Sequence, residues 1–346
     1  MMTECEIENL VKLKKEGKTY VEIGALYGLH PEAVRGRLRR YNDQCQMRAV
    51  SSVEPEIEIA GVHPGDELPD EDEVYSRAAN EWGRTAALQE RKHTQTLTFP
   101  YGPVALAFLA DQHFGSADSN VVRAFQDAET VANTPGMYAV LLGDVTDNMI
   151  IGRLMQYRLG TRTDIPDEFA LLRRFLRLIL KKTVIVLPGN HPSWIKTLVG
   201  IDYFADVLKS ICSTCLYDAD EVCVTVQIGQ ALFPGKVRHS WRGRSQYNPT
   251  HGQEKADKWP GDYFVWSAGG HTHEGAFTRT FATTLGEQGM AVQAGSYKDA
   301  DAYARQRGFP KPTVGVPVVV FDEKTRSMTG FTNLDYACTF MHRMYG

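Results

Sequence analysis

The stretch Val104-Ala105-Leu106-Ala107-Phe108-Leu109-Ala110-Asp111-Gln112-His113 decides how the second half of this chain is read. Seven apolar residues in a row suit a strand covered on both faces, and the abrupt change to Asp-Gln-His marks its carboxyl end. The pattern repeats downstream. Tyr138–Leu142 runs into Gly143-Asp144-Val145-Thr146-Asp147, Val184–Leu187 into Pro188-Gly189-Asn190-His191, and Phe264–Ala268 into Gly269-Gly270-His271-Thr272-His273. A helical stripe over Asp164–Lys182 (Phe169, Leu172, Leu176, Ile179) separates two of these runs, so strands alternate with helices and the class is α/β.

Open α/β sheets gather their functional groups at the carboxyl ends of neighbouring strands, which is where all four polar endings fall. Residues i and i+2 of an extended segment share a face. Asp111 with His113, and His271 with His273, are therefore expected to point inward in pairs if strand geometry persists there. Carboxylates, imidazoles and one amide suit borderline divalent cations, with Mn favoured and Fe, Zn or Ni as alternatives, and the lack of thiolates argues against a structural zinc knot.

Taken in order, D-x-H, G-D-x-x-D, G-N-H, a lone His and G-H-x-H resemble the calcineurin-like metallophosphoesterases over roughly the last 250 residues. The resemblance implies an αββα sandwich carrying two divalent metal ions. Asp111, His113 and His273 would hold the first ion, Asn190, His239 and His271 the second, and Asp144 would bridge them. His191 would be the general acid, or orient the attacking water, with Asp147 behind the ligands. His239 is preferred to His251 as the lone histidine because Lys236-Val237-Arg238-His239 ends a strand-like stretch, whereas Thr250-His251-Gly252 reads as loop. Pro192 stands where the family has an acid to orient the catalytic imidazole, and Asn148 where its protein phosphatases carry an Arg. The motifs also look similar to those of repair nucleases of the SbcD type.

Upstream the chain changes character. Glu4–Lys15, Thr19–Tyr27 and Pro31–Tyr41 read as three helices with a turn at Gly28-Leu29-His30, a series that resembles helix-turn-helix proteins. Arg35, Arg37, Arg39 and Arg40 on the third helix would neutralise nucleic-acid phosphates. A helix-turn-helix fused to such a core most resembles phage-borne phosphoesterases. The organisation expected is residues 1–45 as a nucleic-acid-binding domain, 46–70 as an acidic linker, 71–96 as a connecting helix that packs on the following domain, and 97–346 as the metallophosphoesterase domain.

Arg238, Arg242 and Arg244, with Lys236, Trp241 and Tyr247 interleaved, form a candidate wall for a phosphate backbone and its bases. The function this implies is a metal-dependent phosphodiesterase with DNA as partner, in short a nuclease. The alternatives are a phosphomonoesterase or small or cyclic-nucleotide phosphodiesterase, and a non-enzymatic DNA-binding regulator. Composition sets the outer bounds. A chain of 346 residues, 43% hydrophobic and 23% charged, can bury a core and is neither disordered nor collagen-like. No run approaches the roughly 20 apolar residues of a membrane span, and the first residues lack the apolar core of a signal peptide, so no membrane partner and a cytoplasmic location are expected. Six cysteines are too few for a disulfide scaffold, and Cys212, Cys215 and Cys223 are read as small buried residues.

Overall fold

The computed structural model describes residues 4–51, 70–92, 95–148, 165–211, 214–243, 245, 247–258, 263–299 and 314–346. The chain divides into two compact units, Met1–Glu73 and Val74–Gly346.

In the first unit, helices α1 (Glu4–Lys15), α2 (Tyr20–Tyr27) and α3 (Pro31–Ser51) surround a core of Leu10, Ile23, Val34 and Leu38. Local signals account for each boundary. Thr19 caps α2 by accepting from the Glu22 N–H, while the Glu22 carboxylate accepts from the Thr19 N–H at 2.7 Å. Gly28 then turns the chain at φ +63°. Gly24 has no alternative, because a Cβ there would run into the Leu29 carbonyl oxygen. The third helix extends to Ser51 and not to Tyr41: residues 42–51 contain neither Gly nor Pro, so nothing stops it. Residues 46–51 are thus helix and not linker, and 52–69 lie outside the described residues.

Helix α4 (Glu71–Lys92) also corrects an expectation. Its side chains from Glu71 to Ala87 are exposed, Trp82 at 74%, so the Val74, Ala78, Trp82 stripe does not pack as a connecting helix was expected to. A periodic stripe specifies a face and leaves the partner undetermined.

The second unit holds two six-stranded sheets. One carries, in order across the sheet, β12 (Ser327–Phe331), β11 (Val318–Asp322), β2 (Val104–Leu109), β3 (Met137–Leu141), β4 (Thr183–Val186) and β5 (Leu216–Tyr217). The other carries β1 (Gln95–Phe99), β6 (Glu221–Ile228), β7 (Ala231–Arg238), β8 (Trp266–Gly269), β10 (Gln288–Gln293) and β9 (Phe277–Ala282). Strands β2 to β5 run parallel, as do β7, β8 and β10.

Alternation along β2 explains the layering. Leu106, Phe108 and Ala110 face the other sheet and pack with Val222, Val224, Val226 and Trp266. Ala105, Ala107 and Leu109 face helices α5 (Val121–Asn133), α6 (Ile165–Ile179) and α10 (Leu334–Tyr345). Burial on both sides is why this strand is uniformly apolar. Helices α7 (Asn190–Val199) and α8 (Tyr203–Ile211) follow β4, and the short α9 (His251–Ala256) contacts β8. Thr250-His251-Gly252, expected as loop, therefore opens a helix. Cys215 and Cys223 are half-buried, and Cys212 lies outside the described residues. Among the described residues no helix is long and apolar enough to cross a membrane.

Candidate metal centre

Beyond the carboxyl ends of β2, β3, β4, β7 and β8, the chain leaves the sheets but keeps their order. The N–H groups of Asp111 and His113 donate to the carbonyls of Gly143 and Asp144, Asp144 donates to Pro188, and Gly270 donates to His239, at 2.9–3.0 Å. These loops do not continue the pleat. Asp111, His113, Asp144, His271 and His273 have φ between +50° and +69°, and Asn148 has +38°. Ligand pairs one residue apart therefore converge through left-handed turns and not through strand alternation. Asp, Asn and His enter this region more readily than other non-glycine residues, yet each such residue costs about 1–3 kcal/mol that its surroundings must offset. Two glycines make the close approach possible: a Cβ on Gly143 would stand 2.6 Å from His239 Nδ1, and one on Gly189, at φ +84°, would overlap the Asp144 carboxylate.

Three groups of side chains bring ligand atoms within 4.8 Å of one another: Asp111, His113 and His273; His113, Asp144 and His191; and Asp144, His239 and His271. Asn190 joins the third group through its Oδ1, 3.0 Å from His239 Nε2. His239 Nε2 also lies 3.1 Å from His271 Nδ1 and 3.1 Å from Asp144 Oδ2. On the other flank His113 Nε2 and His273 Nε2 are 3.2 Å apart, with Asp111 Oδ1 at 3.3 Å from His273.

Second partners fix which nitrogen faces inward. The Leu142 carbonyl can only accept, so His239 carries a proton on Nδ1, 2.7 Å away, and turns Nε2 to the centre. His113 donates from Nδ1 to Asp147 Oδ1 at 2.8 Å and likewise presents Nε2. His191 donates from Nδ1 to the Asp147 carbonyl, its backbone N–H donates to Asp144 Oδ1 at 2.9 Å, and Trp194 lies against its ring at 4.1 Å. That carbonyl orients the His191 ring. Pro192 is itself tolerated because it sits in the first turn of α7, where N–H groups have no helical acceptor.

Charge follows the same geometry. Burial alone would raise the Asp144 carboxyl, but His239 and His191 outweigh it and hold it well below the usual carboxylate range; for Asp111 burial is likewise outweighed, chiefly by His273, and the carboxyl is lowered. Burial lowers His113 to about 4, helped by His191 and Lys298, so its imidazole is neutral near pH 7 as a ligand must be. For His239 burial is overcome by Asp144 and the group is pushed up to about 9. Asp111 Oδ1 is fully buried and accepts no hydrogen bond. An orphaned carboxylate oxygen among inward-facing imidazole nitrogens is the environment a divalent cation satisfies.

Among solved structures, this chain matches the calcineurin-like phosphoesterase YfkN from Bacillus subtilis, with 12% identity and a TM-score of 0.34 over 70% of this chain and 98% of that one. No protein-family model and no curated protein matches the sequence.

The remaining candidates are scattered. His251 is exposed at the start of α9 and belongs to none of the three groups. Arg238 pairs with Glu221 at 3.0 Å, and Lys236 reaches the same carboxylate at 3.3 Å. Trp241 is 9% exposed, donates from its indole to the Ala268 carbonyl and packs on Phe264, so it is a core residue and not a base-stacking platform. Arg242 and Tyr247 are exposed, and Arg244 lies outside the described residues. On α3, Arg35, Arg39 and Arg40 point outward and Arg37 is half-buried; Arg35 also meets Glu32 at 3.7 Å.

Sequence reasoning missed Lys298, whose Nζ donates to Asp147 Oδ1 at 3.0 Å. The signal was available: Met290–Val292 is another apolar run, parallel to β8, and its carboxyl end leads into Ser296-Tyr297-Lys298.

Proposed function

We propose that this protein is a dinuclear-metal-dependent phosphodiesterase acting on DNA. The observation that carries the reading is that Asp144 belongs to two ligand groups at once. Asp111, His113 and His273 would hold one divalent ion, Asn190, His239 and His271 the other, with Asp144 shared; manganese is favoured, and iron, zinc or nickel fit the same donors. Ions so held would supply Lewis-acid stabilisation of the charge on a transferring phosphoryl group.

The chain's own side chains do the rest. His191, anchored through Nδ1 to the Asp147 carbonyl, keeps Nε2 on the side of Asp144, 3.9 Å from its Oδ2, where a proton held on Nε2 can pass to a leaving oxygen. Asp147 fixes His113 as a ligand and His191 as an acid from one position. Arg35, Arg37, Arg39 and Arg40 of α3 would neutralise backbone phosphates, and Arg238, Arg242 and Arg244 are the candidate phosphate contacts of the second unit.

A phosphomonoesterase or small or cyclic-nucleotide phosphodiesterase is the second reading. It is favoured by the engagement of Lys236 and Arg238 with Glu221 and by the burial of Trp241, which thin the candidate backbone wall. A non-enzymatic regulator would have no use for a buried, fully oriented ligand set. The deciding experiment is a Mn²⁺-supplemented panel of bis-p-nitrophenyl phosphate, p-nitrophenyl phosphate, cyclic nucleotides, and single- and double-stranded DNA. Turnover of monoesters alone sinks the nuclease reading, and no turnover of any member sinks the enzyme.

A further inference from the structure

The segment Ser296-Tyr297-Lys298 runs beneath the first ligand loop and touches it repeatedly. Ser296 Oγ and the Tyr297 N–H both donate to the Asp111 carbonyl, at 3.1 and 3.0 Å. Its other side is tied to α5: Tyr297 Oη donates to Asp127 Oδ2 at 2.9 Å, Arg123 Nε donates to Asp127 Oδ1 at 2.7 Å, and the Asn120 N–H donates to the Tyr297 carbonyl at 2.8 Å. The Lys298 N–H in turn donates to Ser296 Oγ at 3.0 Å. With its backbone so fixed, Lys298 sends its ammonium inward to Asp147 Oδ1, and both side chains are almost fully buried, at 6% and 2% exposure.

Burying an ammonium is costly, and a lysine stem ordinarily carries its charge out to water. Lys298 does the opposite, and the oxygen it meets is the one that accepts from His113 Nδ1. That oxygen also stands 3.9 Å from His191 Nδ1, so the carboxylate is at the edge of the ligand cluster. An Asp147 left to itself there could swing towards a bound cation and become a ligand. His113 would then lose the partner that fixes its tautomer.

Resting on the dinuclear reading above, we propose that Lys298 is a positioning residue: it pins Asp147 outside the coordination sphere, so that His113 presents Nε2 to the first ion. Lys298 acts through Asp147 and not on the reacting atoms.

The test uses the full chain with Lys298→Met, which keeps the apolar stem, and Lys298→Arg, which keeps the charge. Mn²⁺ binding is followed by the electron-paramagnetic-resonance signal of the free ion, and Co²⁺ substitution reports coordination by its visible spectrum. The parent should bind two Mn²⁺. Lys298→Met should bind one with parental affinity and the other about 10- to 100-fold more weakly, with an altered Co²⁺ spectrum. Lys298→Arg should recover most of that loss. Two ions bound by Lys298→Met with parental affinity and spectrum overturn the inference alone. Equal losses of metal and of melting temperature in both variants also overturn it, because packing would then be the whole role. A parent that binds no Mn²⁺ overturns the dinuclear reading and this inference with it.

Discussion

Removing the negative charge of Asp144 should change how stability depends on pH. Asp144 Oδ2 lies 3.1 Å from His239 Nε2, both are buried, and His239 is pushed up to about 9 from an ordinary value near 6.5. A group raised on folding contributes stability that is complete below its unfolded value and is lost as pH rises through the folded one. The difference corresponds to about 3 kcal/mol, present at pH 6 and lost by pH 10. Asp144→Asn keeps the oxygen that accepts from the His191 N–H but removes the charge. It should therefore destabilise the metal-free protein by about that amount at pH 6. Near pH 10 the gap should close or reverse, because the parent then buries a carboxylate beside a neutral imidazole.

Urea unfolding after chelation, followed by tryptophan fluorescence, isolates the relevant unit. All five tryptophans (Trp82, Trp194, Trp241, Trp259 and Trp266) lie after Glu73. With metal present the sign inverts. Binding must expel the His239 proton, so Mn²⁺ affinity should rise about tenfold per pH unit up to about pH 9, with about one proton released in calorimetry. An Asp144→Asn variant that keeps the parent's pH slope, with or without metal, would refute the reasoning.

His191→Asn should leave two ions bound and cut turnover by about 10²- to 10⁴-fold; a lost ion in metal analysis would make His191 a ligand instead. Gly189→Ala should weaken binding of both ions while far-ultraviolet dichroism stays intact, since the added methyl overlaps the carboxylate of Asp144, which the two would share. Changing Arg35, Arg39 and Arg40 together to Gln should weaken DNA binding and flatten its salt dependence by about 0.9 for each phosphate no longer neutralised. Turnover of a small diester should be unaffected, and an unchanged salt slope would assign that helix to another partner.

What the sequence revealed about this molecule, and what it concealed, divides along physical lines. Strand endings such as Ala110-Asp111 and Leu142-Gly143 are visible because double burial demands uninterrupted apolar residues, and polarity returns where the sheet stops. The route by which Asp111 and His113 converge is hidden, since a left-handed aspartate or histidine has the same letter as an extended one. Trp241 beside Arg242 reads as a nucleic-acid contact until its indole is found hydrogen-bonded inside the core. Lys298 is legible only in part: the apolar run Met290–Val292 marks another strand ending, but nothing local joins a lysine to an aspartate 151 residues away.

The wide spacing of the candidate ligands has a consequence for how the protein reaches its working form. His113 meets His273, and the His271 backbone meets Asp111, across 160 residues of chain, and these neighbours sit on loops of opposite sheets. No local segment can assemble the cluster by itself, so closing it carries the entropy of a very large loop. Cations should therefore be captured late, after both sheets have paired and met. Chains still emerging or half-assembled would be unable to hydrolyse anything. Metal added too early would find histidines in the wrong company, and refolding in chelator followed by metal should give more active protein than refolding in metal throughout.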